Sequence, residues 1–474
     1  MKRRDDSETV CKNSIAPGNP YLGVMLPYSP LHHLVMNELK IPVIATSGNI
    51  SEEPMCVDNS EAIERLEGIA DYFLVHNRPI LRHVDDSVVR VLNGRAMVSR
   101  RARGYAPLPV ELNGDCNGKS MLSVGAHLKN SVSLKVGKNV FISQHIGDLE
   151  TYEADKAFQR IIGDLKTLYS TEPELIITDM HPDYYSTEFA GTLGKPKKSI
   201  QHHVAHVASC RAENHVTGKA LGIAWDGTGF ADGEIWGGEF FRTDDKSCFH
   251  TGSFRSFRLP GGDSAIRESR RSAFGLLYEI FGDSIKENEF IREIFNSNEI
   301  RVILNMLAHY VNCPKTSSVG RIFDAVASIL DLNQKMNFEG QAAMSLEFAS
   351  SPNEDGIYPF FINGTQFLTL DWEPMIRELL DDKLKDVPKS IIAAKFHNTL
   401  AEIILDISKE IGEEKIVLSG GCFQNTYLLT KTIENLESNN FIVYRHQRIP
   451  TNDGGISLGQ IAAAEWEVGS SRKS

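Results

Sequence analysis

Histidine, aspartate and glycine stand along this chain in short groups whose spacing suits chemistry. In Gln201-His202-His203-Val204-Ala205-His206, His202 and His206 are four residues apart, so on a helix both imidazoles share a face and can ligate one metal ion. Buried histidines held only by hydrogen bonds fit the same spacing. Zinc-peptidase chemistry is disfavoured, because His203 stands where an H-E-x-x-H site carries its glutamate base. Asp226-Gly227-Thr228-Gly229 follows the apolar run LGIAW. Glycine lets backbone N–H groups approach an anion, Thr228 offers a hydroxyl and Asp226 can hold a cation; the same four residues also suit a hairpin turn. Asn452-Asp453-Gly454-Gly455 sits at a predicted helix start that Asn452 or Asp453 could cap, and Asp453 can instead serve as a further metal ligand beside His202 and His206. A mixed nitrogen and oxygen set suits iron, zinc or manganese.

Three further loops carry polar groups between apolar runs. Gly125-Ala126-His127-Leu128-Lys129-Asn130 follows MLSV, and Lys129 offers the positive charge that a transferring phosphate or carbonyl oxygen needs. Ser419-Gly420-Gly421 follows KIVL, with Asn425 where the next helix begins, a junction whose backbone amides favour phosphate oxygens or which simply turns tightly. Ser47-Gly48-Asn49 follows IPVIAT and taken alone is a turn.

The elements that must position these groups repeat. Residues 121–144 and 221–241 share a plan of apolar strand, polar loop, second strand, glycine turn and third strand, about 100 residues apart. Helical patterns cover 155–169 and 391–411, and a late buried strand ends in Ser-Gly-Gly. This describes a duplicated two-lobe actin-like nucleotide-binding domain over 121–474, with the ligand in the crevice at the strand ends. Before it, residues 21–110 alternate short apolar runs (IPVIAT, DYFLV) with a helical pattern (SEAIERLEG), which predicts a smaller twisted α/β domain over 1–111. The polar stretch 112–120 reads as the linker.

Composition narrows the function classes. A formal net charge of −12 argues against nucleic acid as the main partner. No run approaches the roughly 20 apolar residues of a bilayer span, and the charged start MKRRDDSETVCKN lacks a secretory apolar stretch, so the expected location is cytoplasmic. Seven scattered cysteines without a C-x-x-C pair predict free thiols.

Several of these segments together resemble the HypF family of hydrogenase-maturation carbamoyltransferases: ATSGNISEEP, SRRARGYAPLP, GAHLKNS, SQHIGDLE, HPDYYST, QHHVAHVAS, DGTGFADGEIWGGEF, SSVGRIFDAVA, FEGQAAM, LSGGCFQN and PTNDGGISLGQ, in order from about Ser14 to Ala464. The resemblance implies the C-terminal part of a YrdC-like domain followed by a TsaD-like transfer domain. It implies passage of a carbamoyl group from carbamoyl adenylate, made with ATP, to the C-terminal cysteine of a HypE-like acceptor protein. Carried over by position, it implies His202, His206, Asp226 and Asp453 as ligands of one divalent metal, iron or zinc. Lys129 and Asn130 become catalytic. Gly227, Thr228, Gly229, Gly320, Asp324, Glu339, Ser419, Gly420, Gly421 and Asn425 become nucleotide contacts, and Ser47 and Asn49 match the S-x-N element of YrdC-like sites.

The departures shape the expectation. An acylphosphatase domain, a zinc-finger region with C-x-x-C pairs and the first half of the YrdC-like domain have no counterpart here, and SEEP carries Glu53 where a small residue is usual. Upstream carbamoyl phosphate hydrolysis is therefore expected to lie outside this chain, a companion chain carrying those parts is a candidate partner, and a non-catalytic or regulatory homologue that binds HypE or nucleotide is the alternative. An acceptor such as an antibiotic hydroxyl is disfavoured by the domain order.

Overall fold

Two apolar blocks fold into sheets of one plan. In the first, strands Asn139–Ile142, Ser133–Val136 and Met121–Ser123 pair antiparallel, and Leu175–Asp179 and Lys197–Ile200 then add in parallel. In the second, Ser247–Phe254, Gly238–Thr243 and Ala220–Trp225 pair antiparallel, and Lys415–Ser419 and Ile442–Arg445 add in parallel. The antiparallel trio needs only tight turns, such as the one at Gly137 (φ +59°). The parallel additions need crossovers, which the helices Tyr152–Leu168 and Lys389–Ile411 supply. This α/β duplication is the one expected from the strand pattern. Its second copy runs further than 221–241: after Asp226 the chain detours through a small sheet containing Phe230–Ala231 and Glu234–Ile235, so the third strand is Ser247–Phe254.

This computed structural model describes residues 15–51, 53–113, 118–231 and 233–470. The charged N-terminal stretch, Cys11 and Cys116 lie outside the described residues, as do 114–117 of the expected linker. The other five cysteines are free. Among the described residues no helix is long and apolar enough to cross a membrane.

The chain divides into two compact units, Met1–Asp85 and Asp86–Ser474. In the first, helices Pro30–Leu39 and Asn59–Arg65 are capped by the side chains of Ser29 and Asp58. The runs IPVIAT and DYFLV, expected as strands, form none. No strand lies among the described residues 15–85 to supply ladder partners, and none of the described residues of 15–82 is buried, with Ile44 78% and Tyr72 94% exposed.

The second unit begins with a hairpin, Val88–Leu92 and Arg95–Arg100. The buried Arg101 guanidinium then donates to the carbonyls of Tyr105, Leu108 and Ile142, and Pro109–Glu111 joins the edge of the first sheet against Asn139–Phe141. Strands Pro109–Glu111 and Met121–Ser123, on either side of the expected linker in sequence, belong to one sheet.

Helix His202–Glu213 is buried on nearly every face, as expected of a helix enclosed by other elements. It contacts strands of both sheets and, most extensively, helix Ile456–Ala462. That helix approaches so closely that a Cβ on Gly459 would lie 1.8 Å from the Ala205 carbonyl oxygen.

Two outcomes follow from this packing. Limited proteolysis of the 474-residue chain should cut within 15–85 well before it cuts the second unit, with the fragment ends read by mass spectrometry, because local opening is easiest where little surface is buried; equal resistance of both regions would contradict the absence of a core in the first. Gly459→Ala should cost about 1–3 kcal/mol in denaturant unfolding, the usual range for overpacking a tight contact.

Candidate metal and nucleotide site

The first turns of helix His202–Glu213 carry the histidine pair, and Gln201 caps the helix by accepting from the Val204 N–H at 2.9 Å. His206 Nε2 lies 2.7 Å from Asp226 Oδ2. His202 Nε2 is 3.8 Å from the same oxygen and 3.6 Å from Asp453 Oδ1, and His206 Nε2 is 3.9 Å from Asp453 Oδ1. One ligand atom from each of the four residues lies within 4.8 Å of the others. Metal–ligand bonds of about 2.0–2.2 Å put the atoms of a tetrahedral set a little over 3 Å apart, so small adjustments would close this group on a single cation. His202 Nε2 is buried and has no hydrogen-bond partner, an unmatched polar atom facing the site.

The carriers come from separate parts of the fold. Asp226 ends strand Ala220–Trp225, and Asp453 opens a short turn before helix Ile456–Ala462, where Asn452, not Asp453, is the capping residue. Asp179, which the sequence reading did not single out, ends strand Leu175–Asp179 and accepts from His202 Nδ1 at 2.8 Å. That bond orients the ring and leaves Nε2 directed at the site. Its signal in the sequence was its place after LIIT, at the carboxyl end of a parallel strand. Burial opposes charge on His202, but the Asp453 and Asp179 carboxylates hold its pKa well above the usual histidine range. Burial likewise opposes charge on Asp226, and the adjacent imidazoles of His202 and His206, the latter in hydrogen-bond contact, hold it ionised far below the carboxylate range.

The glycines of the expected loops bring backbones together around Asp226. A Cβ on Gly229 would meet His203 Cε1 at 2.3 Å, one on Gly320 the Gly227 Cα at 2.7 Å, and one on Gly421 Asp226 Oδ1 at 2.8 Å. Gly420 adopts φ +101° against the Trp225 carbonyl, a conformation open mainly to glycine. Ser318, another residue missed in the sequence, donates from Oγ to the carbonyls of Asp226 (2.7 Å) and Gly227 (2.9 Å) and caps the helix bearing Gly320. Thr228 is half-buried.

Lys129 Nζ pairs with Glu339. Burial would lower the Lys129 pKa, but Glu339, Asp453 and Asp148 outweigh it, so the ammonium stays charged. Asn130 is fully buried, and its Nδ2 donates to the Val124 carbonyl at 2.9 Å and to that of Ala126, which folds the 124–130 loop on itself. Beside this loop, Tyr184 stacks on His181 (ring centroids 4.1 Å apart) and on His127 (5.5 Å).

Residues 222–460 match a family profile described as the carbamoyltransferase Kae1-like domain, second subdomain. Residues 116–213 match the HypF Kae1-like domain, and 1–102 match the Sua5/YciO/YrdC profile described as telomere recombination. The chain belongs to the HypF carbamoyltransferase family. It is 41% identical over 96% of its length to the carbamoyltransferase HypF of Synechocystis sp., of which it spans 61%. Its fold matches the crystal structure of a full-length HypF in the phosphate- and nucleotide-bound form with a TM-score of 0.91 at 42% identity, covering 96% of this chain and 61% of that one. For the HypF of T. kodakarensis the TM-score is 0.87 at 30% identity, with 98% and 62% covered. The resemblance drawn from the sequence and the fold it implied, a YrdC-like part followed by a two-lobe Kae1-like domain, are thereby established. The chain spans about three fifths of the length of these relatives.

The remaining predicted positions separate. Asp324, buried, lies 2.9 Å from Arg321 Nη1, and burial lifts its pKa to about 6. Ser419 turns its hydroxyl towards histidine side chains. Asn425 caps the following helix through Oδ1 and donates from Nδ2 to His397 Nε2 at 2.8 Å, so its amide is engaged within the lobe. Ser47 and Asn49 lie in the first unit, where Ser47 is exposed and Asn49 Nδ2 donates to its neighbour's carbonyl at 2.8 Å.

His397 gives a pH test of this region. Burial lowers its pKa to about 4, while its bond to the Ala393 carbonyl pulls the other way. An unfolded ring titrates near ~6.5, so the stability this ring contributes is complete above about pH 6.5 and is lost as pH falls towards 4. Taking the protein from pH 7 to pH 5 should cost about 2 kcal/mol through this side chain. His397→Gln should reduce the difference in unfolding free energy between the two pH values by that amount, measured by denaturant melts.

Proposed function

We propose that this chain is a metal- and nucleotide-dependent carbamoyltransferase of hydrogenase maturation that passes a carbamoyl group from carbamoyl adenylate to the C-terminal cysteine of a HypE-like protein. The observation that carries the reading is the buried convergence of His202, His206, Asp226 and Asp453 beside the 226–229 and 419–421 loops, in a chain whose relatives are named carbamoyltransferases.

In this reading the four residues would hold one divalent cation, iron or zinc, with Asp179 fixing the His202 ring. Such a cation, when bound, supplies Lewis-acid polarisation of a carbonyl or phosphoryl oxygen. Gly227 to Gly229, Gly420 and Gly421 admit the nucleotide's phosphate close to the backbone, with Gly320 and Asp324 on the helix behind them. Lys129 supplies positive charge to the developing oxyanion, and Glu339 holds that ammonium in place until the substrate arrives. Asn130 shapes the loop that presents Lys129. The acceptor's thiolate attacks the carbamoyl carbon, the bond from that carbon to the phosphate oxygen breaks, and AMP leaves. The nucleophile comes from the partner, which agrees with the burial of Cys210 and Cys248 in this chain. Ser47 and Asn49 belong to the making of the adenylate.

The second reading, drawn from the sequence, is HypE or nucleotide binding without turnover. One experiment separates the two. Purified chain, HypE and supplied carbamoyl adenylate should yield a HypE whose terminal cysteine has gained one carbamoyl group by mass spectrometry, and His202→Ala with His206→Ala should reduce that yield at least ~100-fold, as loss of transition-state stabilisation of a few kcal/mol would. Complex formation without mass gain would leave the binding reading; full activity of the double variant would remove the metal assignment.

A further inference from the structure

Glu239, on strand Gly238–Thr243, is a fully buried carboxylate that belongs to neither the metal group nor the glycine loops. Its Oε1 accepts the backbone N–H groups of Gly237 and Gly238, each at 3.1 Å, and the Ser317 hydroxyl. Its Oε2 accepts from His250 Nε2 at 2.7 Å, and the His250 ring packs on those of Trp236 and Phe367, with centroids 4.2 and 4.9 Å away. Burial opposes charge on Glu239, but the contact with His250 outweighs it and holds the carboxyl below its usual range.

The two segments that Glu239 joins are the ones that grip Asp226. The Asp226 N–H donates to the Gly237 carbonyl at 2.9 Å, while the Asp226 carbonyl accepts the Gly320 N–H at 3.1 Å and the Ser318 hydroxyl at 2.7 Å. The grip is close: a Cβ on Gly237 would lie 2.5 Å from the Asp226 carbonyl oxygen and 2.9 Å from Ser318 Cα. Residues 227–236 leave the main sheet and return to it, with the Trp236 N–H on the Gly229 carbonyl at 2.7 Å. The Glu239 joint stands at the root of that excursion.

We infer that Glu239 is a positioning residue whose Oε1, through Gly237, Gly238 and Ser317, fixes the backbone from which the 226–229 loop meets the nucleotide's phosphate. The inference rests on the nucleotide reading above. An apolar side chain at this position would leave two backbone N–H groups and a hydroxyl buried without an acceptor, and such orphans are relieved by movement of the backbone that carries them. That backbone is the clamp on Asp226 and Gly227. A buried ion is tolerated here because four donors surround it.

The test uses the full chain, with hydrogen–deuterium exchange read by mass spectrometry and AMPPNP with Mg²⁺ as the nucleotide probe in calorimetry. Ser317→Ala should speed exchange in peptides covering 226–238 and weaken AMPPNP binding, each about 10-fold, the worth of one hydrogen bond to a charged group, while peptides covering 175–200 exchange as in wild type. Glu239→Leu should lose about 100-fold or more on the same reasoning. Glu239→Gln, which keeps an acceptor oxygen for Gly237, Gly238 and Ser317, should stay within about 3-fold of wild type, less than the loss of one such bond. Should Glu239→Leu fail to fold, Ser317→Ala and Glu239→Gln carry the test. Wild-type exchange and affinity in Ser317→Ala would overturn the inference, as would faster exchange spread evenly over both sheets or a Gln variant as impaired as the Leu variant. Absence of AMPPNP binding in wild type would sink the nucleotide reading instead, and local exchange in Ser317→Ala would still decide whether Glu239 holds the loop.

Discussion

Three carboxylates, those of Asp179, Asp226 and Asp453, converge on two imidazoles in a largely buried place, and the surrounding structure has to tolerate that concentration of charge. Buried ions are costly to desolvate, and stripping one partner from such a set typically costs ~3–5 kcal/mol because the other is left uncompensated. Here each charge has an assigned counterpart: Asp179 on His202 Nδ1, Asp226 on His206 Nε2, and Asp453 facing both rings. The opposite pKa displacements of His202 and Asp226 express the same balance from its two sides. A divalent cation among four such atoms would replace hydrogen bonds with coordinate bonds and leave the outer contacts in place.

The packing that makes this convergence possible is of backbone on backbone. Gly459 lets helix Ile456–Ala462 rest on the Ala205 carbonyl, which draws Asp453 towards the histidine helix. Gly420 seats the end of strand Lys415–Ser419 against Trp225, next to Asp226. Side chains at these positions would hold the carriers apart by the width of a methyl group or more, and close-packed interiors transmit displacements of that size. The glycines of the site thus serve as spacers of zero thickness as well as approaches for an anion.

The two units differ in how far they meet their own needs. The second buries its sheets on both faces, with every residue of Ala220–Trp225 out of water, the pattern of strands sandwiched between layers. The first carries apolar runs of similar composition, yet Leu26, Ile44, Tyr72 and Leu74 stand exposed by 78% or more. Apolar composition alone does not make a strand; a ladder partner does.

Much of the site could be read from residue order. The i, i+4 spacing of His202 and His206, the strand leading into Asp226-Gly227-Thr228-Gly229 and the repeat of strand, loop and strand are local patterns, and local periodicity survives without knowledge of the fold. The family could be read in the same way, from motifs in order along the chain. Other features had no local trace. Asp179 and Ser318 lie far in sequence from the groups they hold, and Ser419 and Asn425, which read as nucleotide contacts, turn their side chains to histidines within the lobe. The sequence by itself determined which side chains were available and on which strand ends and helix faces they stood. Only the tertiary structure decided which nitrogen of each histidine faces the site, because that depends on hydrogen bonds such as those with Asp179 and Asp226, residues at the ends of strands of two different sheets that sheet pairing and helix packing bring onto one helix.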